Sequence, residues 1–348
     1  MRIAQVAPMF EAVPPKLYGG TERVVSFLTE ELVAMGHDVT LFATGDSVTA
    51  ARLAETRSEA LRLDPTVRDW VALYYKMVET IFRRAHEFDV VHFHIDYFPL
   101  SLFARQNTPY LTTLHGRLDL PEFDEVYSTF PEAPLVSISN SQRLPIPHLN
   151  WARTVLHGMP ANLLTPQPVE QGYFAFLGRI SPEKRLDRAI QIAAAAGGKL
   201  KIAAKIDVAD KVYFESEIKP LLGNPNIEFI GEIDDSQKPA FLSGARALLF
   251  PIDWPEPFGL VMIEAMACGT PVIAFRHGSV PEVIDHGVTG FIVDTMDEAI
   301  AAVGRIDELD RRKIRATFER RWTARRMAED YVDLYEELVA KSRVKVSA

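Results

Sequence analysis

Two glutamates, Glu256 and Glu264, are separated by seven residues and bracket the start of a predicted helix. Between them, the backbone N–H groups of Phe258, Gly259 and Leu260 are expected to be unpaired, because the first N–H groups of a helix have no partner inside it. Such groups bind anions, phosphate above all. Carboxylates beside the anion accept hydrogen bonds from hydroxyl groups. A nucleotide-sugar has this layout, and an ordinary strand–helix unit with a solvated Glu264 is the alternative.

The elements around these residues follow the pattern strand, loop, helix and strand. Residues 247–250 are an apolar run that ends a buried strand. Three prolines then exclude regular structure from the loop: Pro251, Pro255 and Pro257. Pro257 fits the first turn of the helix, where a missing N–H is tolerated. Gly269 and Pro271 predict the end of the helix.

A second predicted helix start carries two basic residues. Residues 173–177 predict a strand, Ser181 a helix cap and Pro182 the first helical turn. Arg179 and Lys184 flank this turn. Two cations beside a helix N-terminus suit a diphosphate better than either charge alone, and a solvated basic face is the alternative.

A glycine pair precedes the first predicted helix of the chain. Residues 2–7 predict a strand, Gly19 and Gly20 a turn, and Thr21 the N-cap of the helix. The turn lacks the complete Gly-x-Gly-x-x-Gly pattern of dinucleotide-binding proteins, and the chain contains no Walker A motif. Nicotinamide and flavin chemistry are therefore disfavoured. A plain flexible loop is the alternative to a phosphate-binding turn.

Histidines stand at or near the ends of two further predicted strands. Residues 89–93 predict a strand whose alternation puts His92 and His94 on one face. No Cys or further His lies near them in the sequence, which disfavours a metal site. His94 and Asp96 follow the strand at its carboxyl end, where open α/β sheets bind ligands. We interpret these two as acceptor-binding residues.

The next predicted strand, residues 109–114, ends at His115 and Gly116. A histidine beside a glycine at a strand end is suited to face a ligand site. A histidine whose ring is satisfied by backbone groups is the alternative.

Four of these segments resemble, in the correct order, the motifs of the family 4 retaining glycosyltransferases, which have the GT-B fold. The segments are Gly19-Gly20, Thr-Leu-His-Gly ending at Gly116, Gly-Arg-x4-Lys ending at Lys184, and the Glu-x7-Glu segment. The resemblance implies that His115 and Glu256 contact the transferred sugar at the reaction centre and that Glu264 binds the ribose. The residues implied in diphosphate binding are Gly19, Gly20, Arg179, Lys184, Phe258, Gly259 and Leu260. The nucleobase is implied to lie against Ile230, Gly231 and Ile233.

The resemblance also implies the architecture. The fold class is α/β, with two Rossmann-like parallel-sheet domains that face each other across a cleft. The expected domains are residues 1–160 on the acceptor side and residues 161–321 on the nucleotide-sugar donor side. Residues 322–348 are expected to form a helix that packs back on the first domain. At the local level, residues 53–63 and 67–85 predict helices.

The composition describes a globular protein whose partners are not nucleic acids. A chain of 348 residues suits two domains, and a net charge of −9 disfavours nucleic-acid binding. The single cysteine, Cys268, excludes an internal disulfide and fits a reducing compartment. The chain shows neither a signal peptide nor an apolar run of about 20 residues, so we expect a cytoplasmic protein. The arginine-rich residues 311–326 leave peripheral contact with the inner membrane face as an alternative to a solvated helix face.

The expected reaction is the retaining transfer of a sugar from a UDP- or GDP-sugar to an acceptor hydroxyl. Since the implied nucleobase contacts are made by backbone groups, the sequence distinguishes neither base. The acceptor is a glycan, a lipid-linked molecule or a small molecule. The Asp-x-Asp triplet, the usual metal–diphosphate motif of the other large glycosyltransferase fold, is absent, so no metal and no cofactor are expected. A nucleotide-sugar epimerase on the same fold and a non-catalytic nucleotide-sugar binding module are the rival functions.

Overall fold

The computed structural model describes residues 1–16, 19–169 and 172–347. The chain divides into two compact units. Unit 1 contains Met1–Met159 together with the chain from Ala324 onward, and unit 2 contains Pro160–Thr323. Each unit has its own parallel sheet with helices on its faces, as the sequence predicts.

Unit 1 is built on a sheet that, among the described residues, has seven strands, all parallel, in the order β3-β2-β1-β4-β5-β6-β7. Its central strands are buried, β4 along its whole length and β1 from Ile3 onward, as expected of a parallel sheet covered on both faces. The strands are β1 Arg2–Val6, β2 Asp38–Thr44, β3 Arg52–Arg57, β4 Val90–Phe93, β5 Tyr110–Thr113, β6 Leu135–Ser137 and β7 Trp151–Thr154. The helices of its N-terminal part are α1 Gly20–Ala34, α2 Trp70–Arg84, α3 Leu100–Phe103 and α4 Pro121–Ser128.

Two local predictions in unit 1 are wrong. Residues 53–63 do not form a helix: they contain most of β3 and a short 3-10 turn, Leu61–Leu63. The residues of β3 have ordinary helix propensity, but parallel pairing with β2 at the sheet edge overrides it. The N-cap of α1 is Gly19 rather than Thr21, so that Gly20 is the first helical residue.

Unit 2 is built on a sheet with six strands in its described part, also parallel, in the order β10-β9-β8-β11-β12-β13. Its strands are β8 Tyr173–Arg179, β9 Lys199–Lys205, β10 Ile227–Gly231, β11 Ala245–Phe250, β12 Val272–Phe275 and β13 Gly290–Val293. Its helices are α5 Leu186–Ala195, α6 Lys211–Tyr213, α7 Lys238–Ser243, α8 Leu260–Ala267, α9 Val280–Val283, α10 Met296–Val303 and α11 Arg311–Arg321.

Both sheets reverse their strand order at one point, between β1 and β4 in unit 1 and between β8 and β11 in unit 2. This is the arrangement of doubly wound Rossmann-like sheets, which bind ligands beyond the carboxyl ends of the strands at such a switch point. His94 follows β4, Arg179 ends β8, and the loop with Glu256 follows β11. Each unit therefore carries predicted site residues at its switch point.

The terminal helix, α12 Ala324–Ser347, belongs to unit 1, where it packs against α1 and β4. Its first turns are fixed by Arg326, which donates to the backbone carbonyls of Leu156 and His157. In the described part of the chain, no helix combines the length and the apolar character needed to cross a membrane.

The arginine-rich segment contributes hydrogen bonds to the interior of unit 2. Arg311 donates to the carbonyls of Ser243 and Ala245. Arg315 donates to three further backbone carbonyls, those of Ala161, Leu164 and Ala267. These two side chains of α11 therefore hold loops and helix ends together and are not part of a solvated face, whereas Arg312, Arg320 and Arg325 are exposed to solvent.

Candidate active site

Helix α8 begins later than the sequence predicts, so the loop that follows β11 is longer. Pro257 lies outside α8, which begins at Leu260, because Gly259 takes a left-handed conformation with φ of 77°. A side chain there would be strained and would also approach Met262 Cε to 2.8 Å. Phe258 is buried against Trp322, with ring centroids 5.9 Å apart. The loop therefore turns sharply into the N-terminus of α8, where an anion is favoured.

A neighbouring turn supports this loop from behind. Ser279 N–H donates to the Glu256 carbonyl at 2.9 Å, and Ser279 Oγ donates to the Phe258 carbonyl at 2.8 Å. Gly278, with φ of 54°, lies so close that a Cβ would stand 2.3 Å from both the backbone N and O of Glu256. The backbone on either side of Glu256 is thus fixed by a contact that only glycine permits.

Lys184 and Glu256, predicted on separate segments, form an ion pair through Nζ and Oε2. Trp254 Nε1 donates to the same oxygen at 2.9 Å, and Lys184 Nζ lies 5.0 Å from the centroid of the Trp254 ring. The side chains of the pair are mostly buried, 18% and 10% exposed. Because both are held on several sides, their positions are set before any ligand arrives.

Arg179, the last residue of β8, shortly precedes the turn that carries Lys184 and is also paired with carboxylates. Its Nη2 donates to Glu183 Oε1 at 2.5 Å, and its Nε lies 3.3 Å from Asp210 Oδ2. The turn itself is a 3-10 helix, Pro182–Lys184, joined to the loop after β11 by the hydrogen bond from Asp253 N–H to the Glu183 carbonyl at 2.9 Å. The fold therefore brings the turn with Lys184, which follows Arg179 in the chain, against the loop with Glu256.

Glu264 is held by a lysine that the sequence did not reveal. Lys238 Nζ donates to Glu264 Oε1 at 2.7 Å and lies 3.1 Å from Asp235 Oδ1. Lys238 and Glu264 are both buried. The two residues are 26 positions apart, on α7 and α8, so no local spacing could have indicated the pair.

The predicted nucleobase residues lie at the carboxyl end of β10, the edge strand of the unit 2 sheet. Gly231 ends the strand with φ of 76°. Ile230 is exposed and Ile233 is half-buried. An exposed apolar side chain at a strand end is compatible with a stacked base.

In unit 1, the glycine pair precedes a buried acid. Gly19 and Gly20 stand at the start of α1, and a Cβ on Gly19 would lie 2.8 Å from Pro15 Cβ. Glu22, in the first turn, is buried, and burial raises the pKa of its carboxyl to about 7.

His94 and His115 are brought into contact, with His94 Nδ1 2.8 Å from His115 Nε2. Two more histidines complete this histidine cluster: the His92 ring lies 4.0 Å from that of His94, and His157 stacks on His115 with centroids 5.2 Å apart. Burial lowers the pKa of all of them, that of His115 to about 3. The rings are therefore neutral at ordinary pH.

Asp96, the other predicted acceptor residue, does not join this cluster. It follows β4 with φ of 53°, a left-handed conformation that is uncommon for a residue with a side chain. Desolvation by the surrounding protein raises the pKa of its carboxyl to about 6, although part of the residue is exposed to solvent. Strain of this kind is found preferentially at functional sites.

Residues outside the predicted motifs hold the histidine cluster. Gln142 Nε2 donates to the carbonyls of Leu114 and Gly116, on either side of His115, at 2.9 and 2.8 Å. Gln5 on β1 and Tyr335 on α12 contact ring nitrogens of His94 and His92, and Tyr331 on α12 contacts Thr113, which in turn contacts His92. The alternation of β1 could have indicated Gln5, whereas the tyrosines are more than two hundred residues away. In the described residues, no three His, Cys, Asp or Glu side chains form a group able to hold a metal ion.

Two family models together match most of the chain. Residues 18–157 match Glycosyltransferase Family 4, and residues 165–322 match Glycosyl transferases group 1. The chain belongs to the family 4 glycosyltransferases. The phosphatidyl-myo-inositol mannosyltransferase of Mycobacterium leprae is 27% identical to this glycosyltransferase, and the alignment covers all of both chains.

Solved structures agree with this assignment. AviGT4, a glycosyltransferase involved in avilamycin A biosynthesis, is 25% identical, with a TM-score of 0.73 over 97% of this chain and 98% of that one. Anabaena Alr3699/HepE, in complex with UDP and glucose, is 17% identical, with a TM-score of 0.74 over 97% of this chain and all of that one. The fold of the glycosyltransferase is therefore GT-B, as the sequence motifs predict.

The close contact at Gly278 gives a prediction for this glycosyltransferase. Replacing Gly278 with Ala is expected to lower the free energy of unfolding by roughly 1–3 kcal/mol, the usual cost of overpacking, and to lower transfer activity further by displacing Glu256. Gly287→Ala is the matched control, because Gly287 has a φ of 76° but a Cβ there would meet no atom within 4 Å. Urea denaturation and initial rates measure both effects. Equal losses in the two variants would mean that backbone strain alone, not the contact with Glu256, is responsible.

Proposed function

We propose that this glycosyltransferase transfers a sugar from a UDP- or GDP-sugar to an acceptor hydroxyl with retention of configuration and without a metal ion. One observation carries the proposal. Each of the two motif acids is held by a lysine through a single oxygen: Glu256 through Oε2 and Glu264 through Oε1. Among the described residues, the second oxygen of each acid accepts no hydrogen bond. Both acids are therefore positioned to accept hydrogen bonds from hydroxyl groups of a ligand.

The spacing of these acids supports a donor with hydroxyl groups on both sides of a diphosphate. Glu256 precedes α8 and Glu264 lies inside it, so the two acids lie on either side of the start of the helix along the chain. We assign the sugar to Glu256 and the ribose to Glu264. The diphosphate then lies between them, against α8 and the turn that carries Arg179 and Lys184.

Charge separation is the physical problem that this arrangement addresses. As the bond between sugar and phosphate breaks, negative charge collects on the diphosphate and positive charge on the sugar ring. Arg179, Lys184 and the N-terminus of α8 stabilise the negative charge, and fixed donors of this kind act without reorganisation. Lys184 already donates a hydrogen bond to Glu256, so it can join the sugar site to the diphosphate site.

The same charge distribution favours retention. The departing diphosphate accepts the proton of the acceptor hydroxyl, which attacks from the face that the diphosphate leaves. Glu256, whose charge is balanced by Lys184 and whose Oε2 accepts a hydrogen bond from Trp254, orients the sugar in this scheme and does not attack it. Arg179 and Lys184 supply the positive charge that a metal ion supplies in other glycosyltransferases.

The donor and the reaction are tested in two steps. Thermal unfolding is followed with UDP, GDP and their sugars in the presence of EDTA; a ligand at about 100 times its Kd adds about 2.7 kcal/mol of stability. HepE was crystallised with UDP, so UDP-sugars are screened first. The stabilising donor is then incubated with glycan, lipid-linked and small-molecule acceptors, and the anomeric configuration of the product is determined by NMR.

Each outcome of this experiment has a clear meaning. An α product from an α-linked donor in EDTA supports the proposal, and an inverted product or a requirement for a divalent cation overturns that part of it. Net formation of an epimer without acceptor identifies the chain as an epimerase. Binding of the nucleotide-sugar with neither transfer nor slow hydrolysis identifies a binding module.

A further inference from the structure

The histidine cluster is connected to α12 by an uninterrupted series of hydrogen bonds. Gln5 Nε2 lies 2.9 Å from Tyr335 Oη, and Gln5 Oε1 lies 2.9 Å from His94 Nε2. Tyr335 Oη is also 2.7 Å from His92 Nδ1, and His92 Nε2 is 2.7 Å from Thr113 Oγ1. All of these residues are buried, so water does not compete for their protons.

The orientation of the Gln5 amide sets the direction of the hydrogen bonds on either side of it. An amide NH₂ group only donates, and its carbonyl oxygen only accepts. In the structure the NH₂ group faces Tyr335 Oη at 2.9 Å and His92 Nδ1 at 3.5 Å, and the oxygen faces His94 Nε2.

This orientation determines the proton positions on three histidines. Since Gln5 Oε1 only accepts, His94 carries its proton on Nε2, and His94 Nδ1 is an acceptor. His115 must then donate from Nε2 to His94 Nδ1 across their 2.8 Å contact. On the other side of Gln5, Tyr335 donates to His92 Nδ1, so His92 donates from Nε2 to Thr113.

We infer that Gln5 and His94 are positioning residues that hold His115 with its proton on Nε2 and a lone pair on Nδ1. His115 Nδ1 is buried and has no hydrogen-bond partner in the described part of the chain. Its ligand is therefore a hydroxyl group that donates a hydrogen bond. If the proposed function is correct, this hydroxyl belongs to the transferred sugar, and His115 orients the sugar without donating a proton to the leaving group.

The series also gives α12 a role in the site. Tyr335 is the acceptor that orients the Gln5 amide, and Tyr331 Oη contacts Thr113 Oγ1 at 2.9 Å at the far end. Without the Tyr335 hydroxyl, the Gln5 NH₂ group loses this acceptor, and the amide is no longer held with its oxygen toward His94. The tautomer of His115 is thereby linked to a residue of the terminal helix that does not touch it.

NMR of the protein labelled with ¹⁵N-histidine tests the inference directly, without any nucleotide-sugar, so its result does not depend on the proposed function. The His115 signals are assigned by their loss in His115→Asn. Two-bond ¹H–¹⁵N correlations at pH 7.5 are expected to show a neutral ring protonated on Nε2. A ring protonated on Nδ1, or a charged ring, would overturn the inference.

Three variants test the residues behind His115. Gln5→Glu keeps an acceptor for His94 and is expected to keep His115 protonated on Nε2. Gln5→Leu is expected to give a mixture of the two His115 tautomers. Tyr335→Phe, which keeps the ring packing, is expected to give the same mixture of tautomers. It replaces Gln5→Leu in the test if that variant does not fold. In either folded variant, an unchanged tautomer would overturn the role of Gln5. With a donor in hand, kcat is expected to fall by roughly one to two orders of magnitude in Gln5→Leu, the usual cost of a misplaced group, with a smaller change in KM.

Discussion

Lowering the pH from 7 to 5 is expected to destabilise the protein steeply. Burial holds the pKa of His92, His94, His115 and His157 well below the ordinary value, that of His115 at about 3. In the unfolded chain a histidine has a pKa of about 6.5, so below that pH the unfolded chain binds protons that the folded chain does not bind. For His115 alone the free energy of unfolding falls by about 2 kcal/mol between pH 7 and pH 5. Urea denaturation at pH 5, 6 and 7 measures the total change in the free energy of unfolding.

Glu22 opposes this trend. Burial raises the pKa of its carboxyl from 4.5 to about 7, with Glu11 adding to the rise and Arg62 opposing it. Between these values the folded chain holds a proton that the unfolded chain has lost, so Glu22 adds about 2 kcal/mol of stability as the pH falls from 7 to 5. Glu22 therefore offsets about one histidine, Asp96 with its raised carboxyl pKa offsets part of another, and the net change is a loss.

Glu22→Gln isolates this contribution. The variant lacks the titrating group, so its stability is expected to fall more steeply than that of the wild type between pH 7 and pH 5 and to be higher at pH 8. An identical pH dependence in both proteins would show that Glu22 is charged in the folded state. A stability that rises or stays level towards pH 5 in the variant would contradict the neutral state of the histidines.

The sequence predicts the fold better than it predicts the residues that hold the site residues in place. Parallel sheets and the motifs at their switch points follow from apolar runs, glycines and prolines that lie close together in the chain. His92 and His94 are correctly placed on one face, because a strand alternates with a period of two. The edge strand β3 was missed, because only its pairing with β2, and no local preference, makes it a strand.

The partners of the motif residues could not be predicted, because they come from distant parts of the chain. Lys238 reaches Glu264 from another helix, and Tyr335 reaches Gln5 from the far end of the sequence. A buried charge or ring nitrogen requires a partner, so the sequence indicates that such residues exist. It does not indicate which ones they are, because the choice depends on how strands and helices are packed.

Replacing Lys184 with Met is expected to lower kcat/KM by about 10²–10³-fold, the effect of losing one fixed donor worth about 2.7–4 kcal/mol to a developing negative charge. Lys201→Met is the matched control. Lys201 also pairs with a glutamate, Glu228, and lies over an aromatic ring, that of Tyr173, but it stands in the middle of β9, away from the switch point. Initial rates with saturating acceptor measure both. Wild-type turnover in a folded Lys184→Met protein would remove the diphosphate assignment.

The loss in Lys184→Met has two separable causes, because Lys184 both faces the proposed diphosphate site and holds Glu256. Glu256→Gln keeps the hydrogen bond from Trp254 and removes the charge that Lys184 neutralises. If Lys184 acts only by holding Glu256, the double variant is as active as Glu256→Gln alone, since the second substitution then removes nothing further. If Lys184 also contacts the diphosphate, kcat/KM of the double variant falls by a further factor of about 10². The double variant then also binds the nucleoside diphosphate more weakly than Glu256→Gln does when no sugar is present. The second result is expected, because the proposed diphosphate carries more negative charge than the one carboxylate, that of Glu256, with which Lys184 pairs in the structure.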